Sequence, residues 1–371
     1  MTASLKQTLT EIEWGEYQLS DLFTIENTAS FNKEHLSEGE DFDYVTRTSL
    51  KQGVLQTTGQ LKGKAPNASK VWSLGLLQMD FFYRSRPWYA GQFVRKVVPK
   101  FKPTPRNIPF FTSLLNKVKP LLLNVLIRDV NHTFLKQKVR LPSKNGQVDF
   151  ALLEKLATQL EKENLKNIQA YLQENGLDTP QLTPAQARAL ADFKNLTWQE
   201  YQIGELFAKL PCPRAPKQNL RKSPSPEFNT PVVYCKFGDN GIMYWGRENE
   251  FTTYSKVIAI ISNGAIATGK VYAQKQTTGI LSDSYFIQWK NGEVSHRVNL
   301  FLSLCLEKGL YHKYSRDNLA TWTNKVEKDK VLLPTKNGVV DLTFMENFIV
   351  ALEKQLLKDL GQYLQKRKKA T

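Results

Sequence analysis

Trp14-Gly-Glu-Tyr-Gln-Leu-Ser-Asp-Leu-Phe23 returns later in the chain as Trp198-Gln-Glu-Tyr-Gln-Ile-Gly-Glu-Leu-Phe207, at an offset of 184 residues. A second pair follows: Lys138-Val-Arg-Leu-Pro-Ser-Lys-Asn-Gly-Gln-Val-Asp149 and Lys330-Val-Leu-Leu-Pro-Thr-Lys-Asn-Gly-Val-Val-Asp341, offset by 192. Two matches in one order at nearly one offset imply a duplicated unit.

Working outward, Asn145-Gly146 and Asn337-Gly338 are type I′ turn dipeptides, which predicts a tight hairpin at each place. Asp149 and Asp341 then occupy N-cap positions, where a carboxylate accepts from the first free N–H groups of a helix. Apolar residues recur at helical spacing after each cap. Leu153, Leu156, Leu160, Ile168, Tyr171 and Leu172 form one stripe. Met345, Phe348, Ile349, Leu352, Leu356, Leu360, Tyr363 and Leu364 form the other. Each helix is expected to run for about 25 residues, near 38 Å. Two equivalent striped helices predict mutual pairing, as an antiparallel coiled-coil-like spacer, over packing of each on its own domain. The pairing candidates are Leu153, Leu156, Leu160, Ile168 and Tyr171 against Met345, Ile349, Leu352, Leu356, Leu360 and Tyr363. Asn175-Gly176 with Pro180 beyond stops the first helix.

Between each opening motif and its hairpin the sequence has β character, as in Val232-Val-Tyr-Cys235, Lys256-Val-Ile-Ala-Ile-Ile261 and Tyr285-Phe-Ile-Gln-Trp289. These interiors differ between the halves while the frame is shared. The expected class is α+β: two pseudo-repeated halves, each a mixed, β-rich domain followed by a long helix. The boundaries are residues 1–149, a helix over 150–176, a linker over 177–197, a second domain over 198–341, and a helix with a basic tail over 342–371.

Charge is distributed unevenly. The net formal charge is +16, but residues 1–61 carry 4 basic and 10 acidic side chains while residues 62–144 carry 17 basic and 2 acidic. Residues 201–342 repeat the bias more weakly, with 19 basic against 12 acidic. So one-sided a segment predicts a polyanion-binding face, where a merely solubilising surface would interleave the signs. Three separated cysteines (Cys212, Cys235, Cys305) form neither a disulfide framework nor a metal knuckle, which predicts buried reduced thiols in a cytoplasmic protein. The N-terminus has no apolar segment of a secretory signal, and no apolar run is long enough to span a bilayer.

The pattern resembles the specificity subunits of type I restriction–modification systems and the related recognition subunits of type IIB enzymes, along essentially the whole chain. The resemblance rests on the Trp…Leu-Phe openings, on Asp43-Tyr-Val-Thr-Arg-Thr48 followed by Gly53, and on the Leu-Pro-x-Lys-Asn-Gly closures before helices. Phe81-Phe-Tyr with Arg84 and Arg86, and Ala259-Ile-Ile-Ser-Asn-Gly-Ala-Ile-Ala-Thr-Gly-Lys270, add to it. It implies two target recognition domains, each reading half of a split site in double-stranded DNA. It also implies paired helices that space the domains and dock methyltransferase subunits, two per chain, with restriction or translocase subunits as further partners. S-adenosylmethionine, ATP and Mg²⁺ would then belong to those partners, with no cofactor in this chain.

Phosphate contacts supply affinity and base edges supply sequence choice. Lys62, Lys64, Lys70, Arg95 and Lys96 are the phosphate candidates of the first domain. Arg47, Arg84 and Arg86, beside aromatic or turn residues, are the candidates for base edges. In the second domain the basic candidates are Lys217, Arg221, Lys222, Lys236, Arg247, Lys270 and Lys275, with Asn263 and Asn318 as adenine readers. His312, Lys313 and Arg316 form a further polar cluster with Asn318, while the other histidines are dispersed and expected to be structural.

Catalytic signatures are missing. No Pro-Pro pair supplies the Asn/Asp-Pro-Pro-Tyr turn of a DNA methyltransferase, and the basic segment lacks the carboxylates of a Mg²⁺-dependent nuclease. Gly264-Ala-Ile-Ala-Thr-Gly-Lys270 mimics a phosphate-binding loop, but Val271 stands where a Ser or Thr and a helix start are required. The competing readings are a two-domain DNA-binding regulator without a methyltransferase partner and a stand-alone nuclease.

Overall fold

The computed structural model describes residues 10–358 and 360–361. The chain divides into two compact units, one ending at Ile168 and the other beginning at Gln169.

In the first unit β1 (Trp14–Gln18) lies antiparallel to β9 (Lys138–Lys144), with Trp14 opposite Pro142 and Tyr17 opposite Val139. The two sequence motifs of the unit are thus zipped to each other. Asn145 and Gly146, with φ of 52° and 76°, turn β9 into β10 (Gln147–Val148), as the dipeptide predicts. After β1 the chain makes one helical turn over Leu19–Leu22 and enters β2 (Phe23–Asn27). β3 (Phe42–Val45), β4 (Val54–Thr58), β5 (Val71–Gly75), β6 (Asp80–Arg84), β7 (Trp88–Ala90) and β8 (Val94–Pro99) follow. They form two sheets, ordered β2-β8-β5-β6 and β4-β3-β7, with β3 and β7 parallel.

Helix α1 (Ile108–Leu122) covers the larger sheet, and α2 (Val130–Lys136) leads into β9. Asn116 of α1 donates to the carbonyl of Phe81 at 2.9 Å and accepts from its N–H at 3.0 Å, satisfying backbone groups of the edge strand β6. Phe23, Trp72, Phe81, Phe111 and Phe134 form the core beneath them. Each such side chain contributes about 1.5–3 kcal/mol on full burial.

The second unit has the same sheet orders. β11 (Trp198–Gln202) pairs with β19 (Lys330–Lys336), setting Trp198 opposite Pro334, and Asn337-Gly338 turns into β20 (Val339–Val340). A four-stranded sheet runs β12 (Phe207–Lys209), β18 (Ser284–Trp289), β15 (Val257–Ile261), β16 (Val271–Gln274). A three-stranded one runs β14 (Ile242–Gly246), β13 (Thr230–Val233), β17 (Gly279–Ile280), the last pair parallel.

Helix α3 (Phe150–Glu174) has the expected length of 25 residues and starts where Asp149 accepts from the N–H of Leu152 at 2.8 Å. It stops at Gly176, φ 65°, as the N–H of Leu177 returns to the carbonyl of Leu172 at 2.7 Å. In the second unit, α5 (His296–Leu310) packs on β16 and β19. Helix α6 (Leu342–Leu356) begins on Asp341, which accepts from the N–H of Phe344 at 2.8 Å.

α6 runs unbroken over Leu342–Leu356 and is interrupted at Leu357, with φ −89° and ψ 0°. Residues 358, 360 and 361 are helical again, and the rest of the expected helix lies outside the described residues. Two expectations are corrected. The expected linker holds helix α4 (Pro184–Asp192), nucleated by a Thr183/Gln186 capping box and packed on α6. Phe193 stacks on Phe348 there, with centroids 4.7 Å apart. Part of the pairing stripe also serves each helix's own unit. Leu153 lies in the first core, and Met345 and Ile349 in the second, because the first turns of both helices dock beside their hairpins. Leu156 is buried as well. Leu160, Tyr171 and Leu356 are exposed, whereas Ile168, Leu352 and Leu360 are half-buried. Tyr363 and the basic tail lie outside the described residues.

Candidate nucleic-acid interface

The β3–β4 connection carries three consecutive residues in the left-handed region: Lys51, Gln52 and Gly53, φ 47°, 55° and 80°. The β13–β14 connection does the same with Asp239, Asn240 and Gly241, φ 45°, 54° and 73°. Glycine is at home there, whereas each non-glycine residue costs about 1–3 kcal/mol and needs holding. In the first unit Arg84 donates to the carbonyl of Gln52 and, through Nε, to Ser73 Oγ at 3.0 Å. In the second, Gln274 Nε2 donates to the carbonyl of Asn240 at 3.0 Å.

The first loop borders an open cleft of about 830 Å³ lined by Phe31, Lys33, Arg47, Ser49, Leu50, Gln78 and Gln92, among others. Arg47 is exposed and lies 5.3 Å from the centroid of Phe93, leaving its fork at the surface in an orientation set by the ring. It presents a fork that solvent can reach, which the role expected of it requires.

Arg84 does not. It is 2% exposed, and burial draws its guanidinium down to about 10, still protonated at neutral pH. A base edge cannot reach it; its function is internal. Arg86 is half-exposed, donating to the carbonyl of Glu40 with Asp43 3.6 Å away. Lys62, Lys64 and Lys70 are exposed, and no ion pair to them occurs among the described residues. Lys96 pairs with Glu26 at 2.8 Å. Arg95 is half-buried against Asn131, and desolvation lowers its pKa.

In the second unit Lys270 lies 4.6 Å from the Phe237 ring and 4.1 Å from that of Tyr311, with Glu307 at 2.8 Å. Lys236 holds Asp239 at 2.5 Å on the loop itself. His312 stands beside Tyr311 and is exposed, as is Arg316. Other cations of this unit are held by aromatic contact. Lys217 lies over Tyr234 and Tyr244, at 5.6 and 5.9 Å, while Arg221 and Arg247 share the Phe228 ring at 4.6 and 4.4 Å. Arg247 is flanked by Glu227 and Glu250 and so presents little net charge, whereas Lys222 is exposed. Lys275 contacts Tyr171 and Asn175.

Both adenine-reading candidates have internal partners. Asn263 donates to Asp283 at 3.2 Å, and Asn318 donates to the Lys313 carbonyl at 3.1 Å and accepts from Lys325 at 2.9 Å. Lys313 is paired with Asp329. Sequence reasoning missed Gln274, Phe237, Tyr311, Gln78 and Gln92. Only the glycines Gly53 and Gly241, each ending a polar run between strand patterns, marked the loops.

Among the described residues no cluster of His, Cys, Asp or Glu is placed to hold a metal ion, and no helix is long and apolar enough to cross a membrane. Burial pushes the thiols of Cys212 and Cys305 up to about 11, which suits inert cysteines. After the phosphate-loop mimic, Val271 begins strand β16 rather than a helix.

Residues 11–170 match the family described as type I restriction modification DNA specificity domain. No curated protein is significantly similar in sequence. Among solved structures, a type I restriction–modification S subunit from M. genitalium superposes with a TM-score of 0.52 at 15% identity, over 96% of this chain and 93% of that one. A HsdS subunit from Thermoanaerobacter tengcongensis aligns over 95% and 91% at 12% identity, with a TM-score of 0.29.

Proposed function

We propose, for a chain that carries a type I restriction modification DNA specificity domain over residues 11–170 and has the fold of an S subunit, that each unit reads one half of a bipartite target in double-stranded DNA. The observation that carries this reading is a common frame around two different loop surfaces. The β1–β9 and β11–β19 closures pair in the same register, while the side chains around Arg47 and around Lys270 are unrelated. Exposed lysines such as Lys62, Lys64 and Lys222 would track phosphates, and Arg47 is the best-placed candidate for a base edge.

In the same reading α3 and α6 space the units and dock methyltransferase subunits, two per chain, with restriction or translocase subunits joining them. The chain performs no chemistry itself; S-adenosylmethionine, ATP and Mg²⁺ are bound by the partners. Co-expression with a type I methyltransferase subunit, followed by a survey of methylated sites, tests this. A split methylated motif that appears only when both proteins are present is the expected result. DNA cleavage by the purified chain with Mg²⁺ alone, or specific binding without any methyltransferase association, would replace it by the nuclease or regulator reading.

A further inference from the structure

Val71 of β5 faces Arg84 of β6, and Val257 of β15 faces Gln274 of β16. Arg84 and Gln274 therefore hold one register position, the last residue of the outermost strand in each four-stranded sheet. Two residues earlier the agreement continues. A Cβ on Gly53 would meet Phe82 at 3.4 Å, and one on Gly241 would meet Tyr272 at 2.9 Å, so an aromatic ring closes on the loop glycine in both units. Thr46 N–H bonds the Gly53 carbonyl at 2.8 Å, and Tyr234 N–H bonds that of Gly241 at 3.0 Å.

Onto this shared geometry two chemically different side chains place the same thing: an N–H aimed at the carbonyl of the second left-handed residue. Arg84 reaches Gln52, braced by Ser73. Gln274 reaches Asn240, whose side chain answers by donating to Gln274 Oε1 at 3.1 Å and to the Ala273 carbonyl at 3.0 Å. Both Arg84 and Gln274 are buried, at 2% and 1% exposure, so neither can touch a ligand at the surface. An arginine and a glutamine have in common here only the donor they aim, and that donor sits where two adjacent non-glycine residues hold an unfavourable backbone.

We infer that Arg84 and Gln274 are equivalent positioning residues, each latching the left-handed tip of its unit's exposed loop and so fixing the base preference of the half-site that unit reads. The inference rests on the DNA-recognition reading above. Without the latch, Gln52 or Asn240 relaxes toward an ordinary conformation. Arg47 to Leu50, or Lys236 and Phe237, then lose their fixed places. Phosphate contacts made by lysines elsewhere stay as they were, so discrimination falls while general affinity does not.

The test equilibrates the full chain, in complex with its methyltransferase partner, with a library of duplexes randomised over the target length, and sequences the bound fraction. Wild type is expected to enrich a two-part motif. Gln274→Ala should flatten one part by about tenfold in preference and leave the other intact, and Arg84→Ala should do the reverse. Affinity for a scrambled duplex should change by less than about twofold in either. Arg84→Gln, which keeps an N–H donor, should retain most of the preference lost in Arg84→Ala. Amide exchange in residues 48–53 or 236–241 should quicken in the corresponding alanine variant only. Should Arg84→Ala fail to fold, Gln274→Ala and Arg84→Gln decide. A wild-type motif preserved in both parts by Gln274→Ala overturns the latch, as does an equal loss in both parts. A wild-type complex that enriches no sequence overturns the underlying DNA-recognition reading instead.

Discussion

Tyr17 donates its hydroxyl to Ser143 Oγ at 3.0 Å, joining positions 126 residues apart. In the second unit the Tyr201 and Thr335 hydroxyls lie 3.1 Å apart at the corresponding place. The flanking ion pairs also correspond, Lys138 with Glu16 at 2.7 Å and Lys330 with Glu200 at 2.9 Å. The opening and closing motifs of each unit are therefore two sides of one ladder, which accounts for their being retained together. Exposed pairs of this kind contribute little, whereas a half-buried hydroxyl bond is worth about 1 kcal/mol. Tyr17→Phe and Tyr201→Phe are each expected to lower unfolding free energy by about that amount. Urea unfolding measures it, and no change in midpoint for either variant would show that the strands alone close the unit.

The caps offer a second measurement. Asp149 and Asp341 each accept from the first turn of a helix, so Asp149→Ala and Asp341→Ala should each cost about 1 kcal/mol. The losses should add in the double variant, since each cap serves its own helix. Strong non-additivity would refute that independence.

His296 carries a pH dependence. Its Nδ1 is buried without a hydrogen-bond partner among the described residues, and burial, then the charges of Lys275 and Arg297, lower its pKa below the ordinary 6.5. A lowered folded-state pKa means that the unfolded chain binds the proton more readily. The stability contribution is thus complete above the unfolded value and is lost as pH falls from about 6.5 toward the folded one. Urea unfolding between pH 7.5 and about 5 should show this loss in wild type and less of it in His296→Leu. Identical slopes in the two proteins would discount the histidine.

DNA binding should separate two kinds of cation. Lys64→Ala is expected to weaken cognate and scrambled duplexes alike and to reduce the salt slope by about one. Arg47→Ala should cost about 1–3 kcal/mol on the cognate duplex only. Equal losses on both duplexes for Arg47→Ala would move it to the phosphate-contacting class.

Local chemistry was readable in the sequence. Asn-Gly dipeptides announced the hairpins, Asp149 and Asp341 the helix starts, and Asn175-Gly176 the stop of α3. Each depends on residues within a few positions of one another, where backbone preference and one hydrogen bond decide the outcome. The capping box at Thr183 and Gln186 was equally local, and it starts the helix that the linker holds.

What only the tertiary structure decided was the orientation of individual side chains. Arg84 and Arg86 are two positions apart on neighbouring backbone, yet one is sealed under the β3–β4 loop and the other lies half-open beside Asp43. Leu153 and Leu160 share one helical stripe, yet one lies in the core and the other is 43% exposed. An arginine's charge is written in the sequence, but its partner is a carbonyl 32 residues away that reaches it only when β6 and the β3–β4 loop meet. Burial is a property of what the rest of the chain places on top of a residue, and composition and spacing carry no record of that.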